Sequence, residues 1–440
     1  MLSAQQFRRR WLAPLIFFQL YLSLTVFLFF YGPWPWEVEH PAKLWTFLAT
    51  AQIAIAAGYM LAWNTVDRAT QSPQDIAAGV KSGISFLKVA TIITIVMAIP
   101  SSLSRTGNWY PDIFRGVESA GVAYNENFER LDTGNAFVVV EYLRMLLSYF
   151  LTAVFPLAVV YWGKMTIAER TISSLAIAFN LSLYISTGTN KGIADFVVTL
   201  PWLIALAFSC GTLRIPRIKF VAPIAFIAMF TGFLFFFGEG QQQREGSGTE
   251  YSSFFTGLAV LQASGDHFIS NLLPESGRII FESLSRYVVQ GYFALSLALE
   301  IDSPSTMGFG HSMFLARNAD ALMGGDFFVN SSLPGILERD HSWPMFLLWH
   351  SIYPWLASDF GVLGTLVVMA LLAYLFALSW GMAMRTAAPQ WITFFYLLLV
   401  LFYYIPANNQ VFQSGETCLA FFIILFFISK QMIERKGMKR

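Results

Sequence analysis

Apolar runs close to the length of a bilayer crossing recur along this chain and limit its fold more than any other feature. They occupy residues 12–31, 43–63, 84–100, 137–162, 170–187, 192–210, 220–238, 361–381, 391–406 and 416–430. A helix needs about 20 mainly apolar residues to cross ~30 Å of hydrocarbon. Inside a bilayer, backbone groups must bond within their own segment, as helices allow. The expected fold is an all-α polytopic membrane protein with about ten spans, forming a single integral membrane domain over residues 1–440.

Composition supports this reading. Hydrophobic residues make up 56% of the chain and charged ones 12%, against roughly 25% charged in soluble domains. The net charge of +1 gives no footprint for nucleic acid. Cys210 and Cys418 both lie in apolar runs, so packing residues are expected rather than a disulfide framework. The basic start "FRRR" precedes an apolar stretch too long for a signal-peptide core, and no small-residue cleavage site follows it. It is expected to remain as the first span.

Lys and Arg in short loops set the orientation. With the N-terminus inside, the inner loops carry Arg68 and Lys81, Lys164 and Arg170, Arg214, Arg217 and Lys219, and Arg385. The basic tail also falls inside, and the short outer loops hold only Lys43 and Lys191. Acidic residues go the other way, with most of the 27 outside. Two outer segments are long, 101–136 and 239–360. The second is too large for a passive connector and contains every histidine except His40. Function is therefore expected on the outer face.

Within the long loop, 241–250 is a Gly-rich polar turn region. Residues 274–300 read as a helix starting near Ser276, with an apolar second half expected to dip into the membrane over 287–299. Residues 345–361 are aromatic-rich, as expected where a chain re-enters through the headgroup layer.

Several positions could carry chemistry. Lys191, in the joint "STGTNKG" between two spans, either snorkels to headgroups or offers a fixed cation to an anionic group, with Asp195 one turn later as a partner. Arg278, Glu282 and Arg286 share one helical face. They form either a solvated stripe or two guanidiniums held by a carboxylate and aimed at phosphate. Gln290 continues that stripe into the apolar half. Glu141 and Arg144, three apart in the fourth span, are read as a local pair or a functional one. No H-x-x-x-H or H-E-x-x-H spacing occurs, so no metal is expected.

The joint "STGTNKG", the large outer loop, "RYVVQGYFALS" and "WHSIYPWLASDFGVLGTLVV" together resemble the bacterial oligosaccharide repeat-unit polymerases of the O-antigen polymerase type. Those enzymes share a membrane architecture with O-antigen ligases. The resemblance covers roughly 137–430. In many members the joint reads Ser-Gly-Ser-Arg-Gly, so Lys191 departs from the commoner arginine. The resemblance implies a glycosyltransferase acting at the outer face of the bacterial inner membrane. With both termini cytoplasmic, as the Lys/Arg distribution predicts, 239–360 is a large periplasmic loop. It implies transfer of a growing glycan from undecaprenyl diphosphate onto the next lipid-linked repeat unit, with no cofactor and no nucleotide sugar. The expected partners are those lipid-linked oligosaccharides, membrane lipids, a chain-length regulator and a flippase.

A diphosphate leaving group needs fixed cations, a need that Lys191, Arg278, Arg286, Arg244, Arg317 and Arg339 would meet. A sugar hydroxyl needs a base, for which His311, His341 and Asp359 are the candidates. Glu282, Tyr292 and Asp195 would support them. Two alternatives stand beside this reading: an O-antigen ligase acting on the lipid A core, and a transporter or flippase without chemistry.

Overall fold

The computed structural model describes residues 3–68, 72–132, 137–213, 218–245, 252–302 and 304–437. The chain opens with α1 (Ala4–Tyr31), α2 (Pro41–Leu61), the short α3 (Trp63–Asp67) and α4 (Pro73–Val96). At the far end of α4 lie α5 (Ala98–Thr106), α6 (Ile113–Glu118) and α7 (Ala120–Asp132). Then come α8 (Val138–Leu146), α9 (Ser148–Tyr161), α10 (Ile167–Ser186), α11 (Lys191–Ser209) and α12 (Ile218–Glu245). A two-stranded antiparallel hairpin, β1 (Ser253–Phe255) and β2 (Val260–Gln262), is followed by α13 (Phe268–Leu272) and α14 (Glu275–Ala298). The chain continues through α15 (Met313–Met323), α16 (Phe327–Ser331) and α17 (Leu333–His341). It closes with α18 (Ile352–Thr386), α19 (Pro389–Tyr404) and α20 (Gly415–Gly437).

Local chemistry sets several of these boundaries. Prolines at the first turns of α2, α4 and α19 suit positions whose N–H has no helical partner. Thr166 and Glu169 form a reciprocal capping box that starts α10.

Among the described residues, seven helices are long and apolar enough to cross a membrane, and a bent pair makes an eighth if taken as one span. The chain is a helical, multi-pass membrane protein. The expected single span over 137–162 is in fact this bent pair, α8 and α9, turned by 62°. Two other expected spans, α10 and α19, fall outside the seven. α10 carries Glu169, Arg170, Asn180 and several serines. At 16 residues, α19 measures about 24 Å. It reads as apolar all round because it is enclosed, packing against α4, α9, α11, α18 and α20.

One hydrophobic core runs through the bundle and draws on α1, α2, α4, α9, α18, α19 and α20. Gly58 of α2 lies so close to α18 that a Cβ there would sit 1.9 Å from the Ala370 carbonyl oxygen. The half of α14 expected to dip into the membrane is packed among the helices of the bundle. Val289 and Leu295 are buried in the main core, and Tyr292 bonds Thr25 of α1 at 2.9 Å.

The loops sort to two ends. Arg10 bonds Ser209 at 3.2 Å, Tyr161 donates to the Ala387 carbonyl at 2.7 Å, and Gln390 bonds Gln431 at 3.0 Å. The two terminal helices therefore share one end of the bundle. At the other end, Lys43 pairs with Glu300 at 3.0 Å and Arg105 with Glu416 at 3.1 Å. That end carries α5 to α8, the α10–α11 joint, the long segment between α12 and α18, and the crossing 405–414.

Candidate functional site

At the loop-rich end, four segments bring their charges together. Glu416 opens α20, and its Oε2 accepts Arg144 Nη2 at 2.6 Å, Arg144 Nε at 3.1 Å and Arg105 Nη2 at 3.1 Å. Arg144 also donates to the Ser101 hydroxyl at 2.6 Å, while Ser104 donates to Glu141 at 2.7 Å. Arg144 is almost wholly buried, which a cation tolerates only when paired and hydrogen-bonded. The local Glu141–Arg144 pair expected from their spacing is the weaker contact, at 3.9 Å.

Lys191 belongs to the same cluster. It is the first residue of α11, with Asn190 as N-cap and Gly188 at φ 59° in the turn before it. A cation here opposes the positive end of the helix dipole, so its placement calls for neighbouring anions. Its charge acts on both Asp195 and Glu416. Among the described residues it forms no ion pair within 4 Å, so Asp195 is a neighbour rather than a salt-bridge partner. Tyr404 of α19 also lies near enough to act on the Asp195 carboxylate. Asn190 is buried, yet neither side-chain atom has a hydrogen-bond partner, and Asp195 Oδ1 also lacks one. Buried polar atoms are nearly always bonded. This group is built to meet something more than its own side chains.

The α14 stripe lies alongside and is not solvated. Glu282 is fully buried and accepts the Ser252 backbone N–H at 3.1 Å. Arg286 is buried, bonds Gln241 of α12 at 3.4 Å, and places its guanidinium 4.7 Å from the Phe254 ring centroid and 5.8 Å from that of Trp34. Arg278 is half-buried on the same face. Gln290 is buried, and its Oε1 has no partner. Leu284 and Tyr287 of this helix pack in one apolar cluster with Ile193 and Ala194 of α11, which ties the stripe to the Lys191 turn.

The third component is a dyad. His311 Nδ1 bonds Asp359 Oδ2 at 2.8 Å, and the same oxygen accepts the His311 backbone N–H at 2.8 Å. Asp359 Oδ1 accepts the Gly308 N–H at 2.9 Å and the Thr306 hydroxyl. Asp359 is buried and His311 nearly so. Two of the three candidate bases thus form one unit. With Nδ1–H donated to the carboxylate, Nε2 is left as the acceptor. Asn409 holds the dyad from the crossing segment, donating to the His311 carbonyl at 2.6 Å. Seven residues further along that segment is Glu416, so one short stretch joins the dyad to the cations.

Other candidates lie elsewhere. His341 ends α17 beside the exposed Arg339–Asp340 pair, whose nitrogen–oxygen contact is 2.7 Å. Arg317 is exposed over the Phe346 ring at 5.6 Å. None of the three makes a hydrogen bond, ion pair or ring contact with the dyad. Tyr292 faces Thr25 inside the core, and the Arg244 side chain lies outside the described residues. His350 is buried and bonds the Leu348 carbonyl at 3.1 Å, and burial lowers its pKa to about 3. Among the described residues there is no group of three or more His, Cys, Asp or Glu able to hold a metal.

Sequence reading missed Arg105, Asn190 and Glu416. Only Glu416 carried a signal, as a carboxylate opening a membrane span.

The fold and the site define a multi-pass helical membrane protein with a charged, partly unsatisfied cluster at one end. No family model, curated protein or solved structure matches the chain.

Proposed function

We propose that this protein is a glycosyltransferase of the bacterial inner membrane that polymerises lipid-linked oligosaccharide repeat units at the outer face. Both termini are then cytoplasmic, with ten spans counting α10 and α19, and 239–360 is the periplasmic loop. The observation that carries this reading is the join between an oriented His–Asp dyad and a buried cation cluster, made by the segment from Asn409 to Glu416.

In this reading, Lys191, Arg144 and Arg105 face the donor diphosphate, with Arg286 and Arg278 beside them. An acceptor sugar hydroxyl attacks the anomeric carbon of the donor glycan. The bond from that carbon to the diphosphate oxygen breaks, and the electron pair leaves with the lipid diphosphate. His311 Nε2 takes the hydroxyl proton, and Asp359 stabilises the imidazolium that forms. The donor diphosphate is already an anion, and breaking its bond to the sugar adds a further negative charge. Fixed cations that favour this added charge over the ground-state dianion lower the barrier.

Deleting the gene and separating surface polysaccharide on a gel tests the reading. Loss of the ladder with single capped units retained is the polymerase outcome. Loss of all capping would assign a ligase, and an unchanged glycan would reject both. The break between α8 and α9 beside Arg144 favours a second reading as a lipid-glycan carrier, because transporters build their sites on interrupted helices. In that case repeat units would stop reaching the outer leaflet.

A further inference from the structure

Two glutamines face outward from the membrane-crossing part of the bundle. Gln19 is near the middle of α1 and Gln52 near the middle of α2, and they line a groove of about 330 Å³ with Trp45, Ala49, Ile53 and Ala56. Gln19 Nε2 donates to the Gln52 backbone carbonyl at 3.2 Å, and the Ser23 hydroxyl donates to Gln52 Oε1 at 3.2 Å. Gln19 Oε1 and Gln52 Nε2 make no hydrogen bond to another described residue. In hydrocarbon no water is present to satisfy them, and amide side chains at such depths bond across to neighbouring helices.

We propose that this groove is the contact face of a homodimer within the membrane. The atoms left over are one acceptor on α1 and one donor on α2 at the same depth. Two copies inserted the same way up are related by a two-fold axis along the membrane normal, which opposes identical patches at equal depth. The Gln52 donor of each copy then meets the Gln19 acceptor of the other, and the bond forms twice. Ala49 and Ala56 keep the α2 surface low enough for helices to approach. This self-complementarity selects a second copy of this chain over an unrelated helix, and it does not depend on the catalytic reading.

Oxidative crosslinking in native membranes tests it, with little background because Cys210 and Cys418 are both buried. Ile53→Cys sits at the groove and is 69% exposed, while Leu175→Cys, 63% exposed on α10, serves as the control. The expected result is a product of twice 49.5 kDa from Ile53→Cys and little from Leu175→Cys. Adding Gln19→Leu and Gln52→Leu is expected to cut that product by about threefold or more at equal protein abundance. Equal yield from both cysteines would overturn the proposal, as would an undiminished yield in the leucine variant. A crosslinked product of any other mass would assign the face to a different protein and overturn it equally.

Discussion

His311 and Asp359, 48 residues apart, meet through a 2.8 Å hydrogen bond between Nδ1 and a carboxylate oxygen that also holds the His311 backbone N–H. One carboxylate therefore fixes the ring and the chain beneath it. If Nε2 is the base, His311→Ala should lower turnover by about 10²- to 10⁴-fold at unchanged abundance. Asp359→Asn should also lose activity, since the amide leaves the imidazole without its orienting charge. Turnover of lipid-linked repeat units by purified protein is the measurement, and full activity in His311→Ala would return the dyad to a structural role.

Lys191 carries the second prediction. As a phosphate-binding point charge, it should accept Lys191→Arg with polymer retained. Lys191→Ala should lose polymer, and Lys191→Glu should do worse through repulsion. A normal ladder from Lys191→Ala would make the residue a headgroup anchor.

The Arg144–Glu416 pair is predicted to hold the broken span in place. Arg144→Ala leaves a carboxylate shared with Arg105 alone and should cost about 3–5 kcal/mol, read as lower thermal stability in detergent. Replacing both partners with Arg144→Met and Glu416→Leu should cost less than the sum of the single changes. Strict additivity would show that the pair is not coupled.

Gly361 interrupts α18 with φ 63° and ψ 177° two residues after Asp359, in backbone space open essentially to glycine alone. A Cβ there meets nothing within 4 Å, so Gly361→Ala tests strain without a clash. It should destabilise by about 1–3 kcal/mol and lower turnover as Asp359 shifts. An alanine variant as stable and active as wild type would remove the kink from the argument.

His350 predicts a pH dependence. Its folded pKa is lowered to about 3 by burial, below the ordinary value of about 6.5. The unfolded chain thus takes up the proton first as pH falls. The stability attached to neutral His350 is complete above about pH 6.5 and is lost as pH drops toward 3, by up to about 1.4 kcal/mol per pH unit. Melting temperatures at pH 7 and pH 5 should fall further for wild type than for His350→Gln. Equal falls would place the acid sensitivity elsewhere.

Most helices of the bundle were legible in the sequence because hydropathy is a local property. A run of about 20 apolar residues meets the bilayer's demand whatever its neighbours are. Among the described residues, Lys164, Arg170 and Arg385 likewise fall at the end that carries both terminal helices. The exceptions are instructive. α19 reads as an ordinary short span, but its all-round apolarity reflects enclosure by five helices. The apolar half of α14 has the same cause, since neighbouring helices cover it.

The sequence by itself determined that the chain crosses a membrane many times, and it singled out Lys191 as out of place in an ordinary turn. Tertiary structure alone decided which charges meet. Arg144 and Glu416 are 272 residues apart, and nothing in either neighbourhood names the other. Likewise, His311 and Asp359 are 48 residues apart, and no local pattern in the Gly-rich turn around His311 names its carboxylate. The physical reason is that a buried charge persists only where partners satisfy it, and here those partners arrive from separate helices whose packing no local pattern encodes.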